Sequence, residues 1–178
     1  MEKTVFTIGH STRSIQEFIH LLQENKIATL VDVRNYPGSK RYPHFNKEAL
    51  EKTLSGQGIE YIHSKDLGGR RKPDPDSLNT RWRNSAFRGY ADYMKTNEFE
   101  NAIKQLQAVA EKKPTVYMCS EAVWWSCHRS LISDHLKVKG WKVLHIMNEG
   151  KLTEHPYTSA ARITNGQLRY DEPDLFTE

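Results

Sequence analysis

The chain reads as an α/β fold, a mostly parallel sheet of about five strands flanked by helices on both faces, with residues 1–178 forming one domain. Two observations predict it. Five short apolar runs alternate with amphipathic segments, the pattern of crossover units feeding a parallel sheet. Several of those runs also lack a clean apolar/polar alternation, as strands covered on both faces do. At 178 residues the chain is long enough to bury a real core, and splitting it would leave two marginal pieces.

The elements follow in order. Val5 to Ile8 is the first strand, and Ser14 with Glu17 forms a capping box opening a helix whose buried face is Ile15, Phe18, Ile19 and Leu22. Thr29 to Val33 is the second strand, Asn46 opens a helix running through Leu54, and Ile59 to Ile62 is the third strand. Tyr90, Tyr93 and Met94 mark a short helix. Asn97 with Glu100 is read as the cap of the next one, with Phe99, Ala102, Ile103, Leu106 and Ala110 on one stripe and Pro114 as its stop. Thr115 to Met118 is the fourth strand, and a helix from near Ser126 to the C-cap Gly140 leads to the fifth, Lys142 to Met147. Two stretches, Asn35 to Phe45 and Lys65 to Gly89, break the alternation. Long loops rich in Gly, Pro, Arg and aromatics are usually functional or disordered.

Composition bounds the function classes. Hydrophobic residues at 37% and charged residues at 27%, with modest Gly and Pro, describe a globular chain and exclude collagen-like and disordered ones. No apolar run approaches the roughly 20 residues of a membrane span, and Met1 to Phe6 carries no basic leader, so a cytoplasmic protein without a membrane partner is expected. The two cysteines, Cys119 and Cys127, match neither a disulfide scaffold nor a four-ligand zinc spacing. The net charge of +4 is a slight bias toward anionic partners. Its distribution says more, because Arg70, Arg71, Lys72, Arg81, Arg83 and Arg88 share one Pro-punctuated stretch that suits a nucleotide or nucleic acid, against the alternative of a solvated loop.

In an open parallel sheet, ligands bind beyond the carboxyl ends of the strands. Here those ends are polar: His10, Ser11 and Arg13 after the first strand, Asp32 and Arg34 at the second, His63 at the third, Cys119 and Glu121 at the fourth, His145 and Asn148 at the last. The densest cluster runs from Met118 to Arg129. Cys127, His128 and Arg129 are expected in a first helical turn, where unpaired N–H groups favour anions and thiolates. Cys119 or Cys127 is then a candidate nucleophile, with His128 or His10 as base and Glu121 as acid/base or orienter. The bland readings stand beside these: buried structural thiols, a capping His128, and an Arg129 paired with Asp134 or Glu121. Asp32 and Arg34 form either a site element or a buried ion pair. Candidate substrate contacts are Ser11, Asp32, Arg34, Ser39, Gly68, Gly69, Arg70, Tyr90, Trp124 and Arg129, with Trp124 and Trp125 as a wall or lid. Cys127, His128, His10, His145 and Glu121 have the ligand types of a zinc or iron site, yet no spacing compels one, so metal and cofactor stay unassigned.

Taken together, Thr7-Ile8-Gly9-His10-Ser11, Asp32-Val33-Arg34 with Pro37 and Ser39, Leu67-Gly68-Gly69, the Tyr90/Tyr93-Met94 segment, Met118 to Glu121 through Cys127-His128-Arg129, His145-Ile146 and the segment from His155-Pro156 to Tyr170 resemble the DUF488 family. The resemblance covers nearly the whole chain and lends weight to the strand-end residues, while implying no particular reaction. A weaker likeness, in the Asp-Val-Arg strand and the Cys after Val116-Tyr117-Met118, is to rhodanese-type domains, and it implies persulfide transfer. Three functions follow as expectations: an enzyme acting on an anionic, nucleotide-like or nucleic-acid-like substrate; a non-enzymatic nucleic-acid-binding module; and sulfur transfer.

Overall fold

In the computed structural model residues 2–174 are described, and among them the chain forms a mixed α/β structure around a six-stranded sheet. The strands are β1 (Thr4–Gly9), β2 (Thr29–Asp32), β3 (Glu60–His63), β4 (Thr115–Cys119), β5 (Lys142–Asn148) and β6 (Lys151–Glu154), in the order β3-β2-β4-β1-β5-β6. The first five run parallel, and β6 turns back antiparallel on β5. A separate hairpin pairs β7 (Arg162–Thr164) with β8 (Gln167–Arg169). The helices are α1 (Ile15–Glu24), α2 (Lys47–Gly56), α3 (Ser85–Tyr93), α4 (Asn97–Lys112) and α5 (Arg129–Val138). No described helix is long and apolar enough to cross a membrane.

The alternation of side chains along each strand divides the interior into two cores. Ile8, Leu30, Val116, Met118 and Ile146 face α1 and α2, where Phe18, Leu22, Leu50 and Leu54 pack on them. Val5, Val31, Tyr117, Cys119 and Val143 face α3, α4 and α5, meeting Tyr90, Phe99, Leu106 and Leu131. β2 and β4 are buried along their full lengths, which explains their unbroken apolar runs. Because β4 inserts between β2 and β1, the carboxyl ends of these three central strands lie together. The ladder continues past the strands: His10 N–H donates to Cys119 O at 2.9 Å, Ser11 N–H to Ser120 O at 3.0 Å, and Val33 N–H to Met118 O at 3.0 Å. Thus Cys119 and the residues after β1 and β2 are fixed by backbone to one rim.

Two helix starts differ from the sequence reading. The α4 cap is Thr96, whose hydroxyl accepts from Phe99 N–H at 3.3 Å; Asn97 is already the first helical residue. Ser126 closes a 3-10 turn over Trp124–Ser126, and α5 begins three residues later with His128 at the cap position. Cys127 therefore precedes the helix. Ser14 does cap α1, accepting from Glu17 N–H at 3.1 Å, and Gly140 ends α5 with a φ of +94°. Replacing Thr96 by Ala is expected to lower stability by about 1 kcal/mol in denaturant unfolding, while Asn97→Ala leaves it within a few tenths.

Candidate functional site

The cleft above the β2, β4 and β1 ends has a volume of about 660 Å³. Of the residues expected there, Cys119, Glu121, Cys127, His128, His10, Ser11, Arg34, Ser39, Gly69, Arg70 and Tyr90 line it. Asp32, Gly68, Trp124 and Arg129 do not, for reasons visible in their partners. Asp32 is fully buried and accepts from Arg34 Nε at 2.9 Å, Arg34 Nη2 at 2.7 Å and Tyr61 OH at 2.5 Å, so it is the brace of a buried ion pair. Gly68 packs on Asn35, where a Cβ would come within 2.9 Å of the Asn35 Cα. Trp124 stacks on His145 at 4.8 Å and covers a buried polar chain, leaving Trp125 as the exposed ring.

His10 is oriented but occupied. Its Nδ1–H donates to Ser11 O at 2.9 Å, which leaves Nε2 as an acceptor, and Arg34 Nη1 faces that lone pair at 3.4 Å. Burial, reinforced by the Arg34 charge, pushes its pKa down to about 4, and the ring stacks on Phe45. A lone pair that already meets a guanidinium is less free to accept a proton. His128 differs in leaving its acceptor nitrogen uncovered, although burial lowers its pKa as well. Its Nε2–H donates to Val33 O at 2.9 Å, which turns the Nδ1 lone pair toward Cys127 Sγ at 3.4 Å. Gly69 makes room for this ring: a Cβ there would stand 2.9 Å from His128 Nδ1.

The two thiols meet. Cys119 Sγ and Cys127 Sγ are 2.7 Å apart, both free and both buried, at 2% and 4% exposure. Burial pushes both thiols up. In Cys127 it is outweighed by the Cys119 hydrogen bond, the Arg129 charge and the Arg129 N–H at 3.4 Å, so this thiol lies below its ordinary value. Cys119, facing Cys127, is held well above it. The pair thus divides into a thiolate-forming sulfur and one that keeps its proton.

Arg129 is buried at 1% exposure, and among the described residues no carboxylate is in direct contact with it. Nη2 donates to Glu121 O at 2.9 Å, pinning the loop after Cys119; the Glu121 carboxylate is exposed, and its carbonyl does the holding. That carbonyl presses on Gly9 so closely that a Cβ there would come within 1.7 Å of it. Nη1 donates to Thr7 Oγ1 at 3.0 Å. From Thr7 a chain continues through His145 Nδ1 at 2.6 Å, then His145 Nε2 to His155 Nδ1 at 2.8 Å and His155 Nε2 to Asp134 Oδ1 at 2.8 Å. Asp134 also accepts from Thr158 OH at 2.5 Å and Tyr170 OH at 2.7 Å. A carboxylate only accepts, so this chain of hydrogen bonds runs from Arg129 Nη1 through Thr7, His145 and His155 to Asp134, while Arg129 Nε is buried without a hydrogen-bond partner among the described residues. His145 is thereby committed far from the thiols, and among the described residues no group of three or more His, Cys, Asp or Glu is disposed to hold a metal.

Asp134, expected as an ion-pair partner of Arg129, instead accepts from His155, Thr158 and Tyr170, and the roles of Thr7, His155 and Tyr170, named only within the family resemblance, were not foreseen from the sequence. They carry no local motif, and only the fold brings positions 7, 134, 145, 155 and 170 together. Three of the six basic residues of the arginine-rich stretch are engaged in structure. Arg81 donates to Ala160 O at 2.7 Å and Ser159 O at 3.1 Å, Arg88 to Trp82 O at 3.0 Å, and Arg71 to Gly68 O at 3.2 Å while lying over the Tyr93 ring. Arg70, Lys72 and Arg83 stay exposed, and only Arg70 of these lines the cleft.

Two outcomes test this electrostatic frame. Thr7→Val, which removes one hydroxyl from between two buried polar groups, should destabilise by roughly 1–3 kcal/mol in urea unfolding, with Thr7→Ser restoring most of it. Burial also lowers the pKa of His10 and His135 to about 4 and of His145 to about 2. These rings bind fewer protons folded than unfolded, so stability is complete above the unfolded value near 6.5 and falls as pH drops from there through 4. A series of melting temperatures from pH 7 to 4 should decline steadily.

Neither a curated protein nor a solved structure matches the chain. A family model, described as Domain of unknown function DUF488, matches residues 14–136, which is more than half of the sequence and holds Arg34, Cys119, Cys127, His128 and Arg129. On that match, the chain belongs to the DUF488 family.

Proposed function

We propose that the protein is a thiol-dependent enzyme in which Cys127 attacks an anionic substrate held in the cleft and His128 Nδ1 takes up the Cys127 proton. The observation that carries this reading is the convergence on one sulfur: Cys119 Sγ at 2.7 Å, His128 Nδ1 at 3.4 Å and Arg129 N–H at 3.4 Å all face Cys127 Sγ, on the wall of an open cleft. A structural thiol needs none of these. A nucleophilic one needs a base to accept its proton and fixed donors to hold the anion that remains.

Preference for an anion rests on the donors of the lining, the exposed guanidinium of Arg70 and that of Arg34, whose charge is already paired with Asp32. Arg34 is held rigid by Asp32 and by Phe45 O at 2.7 Å, whereas Arg70 is exposed on the rim with a φ of +61°. The volume suits a small molecule or a single nucleotide unit. Glu121, exposed in the same lining, is the acid/base group for a leaving group that departs toward solvent.

Paired alkylating reagents test the proposal. Iodoacetate should modify Cys127 of the folded protein at pH 7, with a rate profile whose midpoint lies below the ordinary thiol value of about 8.5. Relative to free glutathione, the ratio of iodoacetate to iodoacetamide rates should be raised several-fold, and Arg70→Ala should reduce that ratio. His128→Gln should slow modification roughly tenfold at neutral pH. A Cys127 that stays unmodified by both reagents under native conditions would overturn the reading.

A further inference from the structure

We infer that Cys119 is a resolving thiol, so that Cys119 and Cys127 cycle between dithiol and disulfide and the substrate is an oxidised sulfur compound, a disulfide of an anionic thiol. The inference rests on the nucleophile assigned above and adds to it the second sulfur, which simple nucleophilic catalysis leaves without a task.

Geometry is the first support. The two Sγ atoms lie 2.7 Å apart, and a disulfide bond is about 2.05 Å long, so closure needs a movement of well under one ångström. The two backbones are held differently, Cys127 among the described residues only by local bonds to Trp124 O and from the Ser130 N–H and hydroxyl. Cys119 ends β4 and is locked by its register with Gly9 and by His10 N–H on its carbonyl. Cys127 stands outside the strands and ahead of α5, after a loop whose Ser120, Glu121, Ala122, Trp125 and Ser126 are exposed. Both sulfurs line the same cleft, so a group bonded to Cys127 is within reach of Cys119.

The chemistry balances as two displacements. Cys127 thiolate attacks one sulfur of R–S–S–R, forming Cys127–S–S–R and releasing R–S⁻. The released R–S⁻ takes the Cys127 proton back from His128 Nδ1 and leaves as R–SH; Cys119 then attacks the Cys127 sulfur, forming the Cys119–Cys127 disulfide and expelling a second R–S⁻, which receives the Cys119 proton and leaves as a second R–SH. The protein loses two electrons and the substrate gains them; an external dithiol reductant returns the pair by the reverse exchange. Charge sets the order of events. While Cys127 is an anion it keeps Cys119 protonated, and once Cys127 is bonded to R that opposition disappears and the Arg129 charge falls on Cys119 alone. The resolving sulfur is thus released only after the mixed disulfide exists. The same adjacency bears on sulfur transfer: a persulfide on Cys127 would be attacked by Cys119 and discharged as HS⁻, so this pair is unsuited to storing sulfane sulfur.

Glutathione disulfide is the probe. Reduced wild-type protein, mixed with it and quenched in acid, should lose the mass of two hydrogens, with peptide mapping showing a Cys119–Cys127 link and no lasting adduct. Cys119→Ser and Cys119→Ala should instead accumulate one glutathione unit on Cys127, with unchanged circular dichroism confirming the fold, and Cys127→Ser should lose the fast reaction. Wild-type protein that accumulates the mixed disulfide just as the Cys119 variants do would overturn the resolving role while leaving Cys127 as nucleophile. A Cys127 inert to glutathione disulfide and to iodoacetate alike would overturn both.

Discussion

A buried guanidinium with no carboxylate beside it among the described residues is the constraint around which this structure is arranged. Taking an isolated charge out of water has an effective penalty of several kcal/mol, and it is tolerated only where hydrogen bonds and opposite charge answer it. Arg129 is answered from two directions. Behind it, Thr7, His145 and His155 carry polarised hydrogen bonds to Asp134. In front of it stand the two cysteine sulfurs, and their negative potential raises its pKa against the effect of burial. The residue that steadies the loop after β4 is therefore also the residue that favours a thiolate.

Each strand end contributes a different part of the same balance. β1 supplies Gly9, whose lack of a side chain lets the Glu121 carbonyl approach, and Thr7, which anchors Nη1. β2 supplies the Val33 carbonyl that chooses the His128 tautomer, together with Asp32, which immobilises Arg34. β4 supplies Cys119. The histidines divide by what their neighbours leave free: His10 has its lone pair covered by Arg34, His145 is sealed under Trp124, and His128 alone of these three points an open nitrogen at a sulfur.

Much of this was legible in the sequence. The five parallel strands stood out because apolar runs bounded by turn residues survive any tertiary context, and the polar residues that follow them had to gather at one rim once the strands ran parallel. β6 was missed because Lys151–Glu154 is short and half charged, and its edge position asks for no apolar pattern. The β7–β8 hairpin does carry a local signal, Asn165-Gly166, both with positive φ, between Arg162-Ile163-Thr164 and Gln167-Leu168-Arg169. Ser126 misled as a cap because serine is a good one; the 3-10 turn at Trp124 delays the helix instead. Roles that depend on a distant partner, such as Trp124 on His145 or Arg34 on His10, have no local trace and could not be read before the fold.

The region matched by the family model, residues 14–136, stops inside α5 and begins after β1. Thr7, Gly9, His145, His155 and Tyr170 all fall outside it, yet they hold the guanidinium that the matched residues present to the thiols. The smallest unit that keeps this guanidinium in place is consequently wider than the matched region, with segments on either side of it as scaffolding.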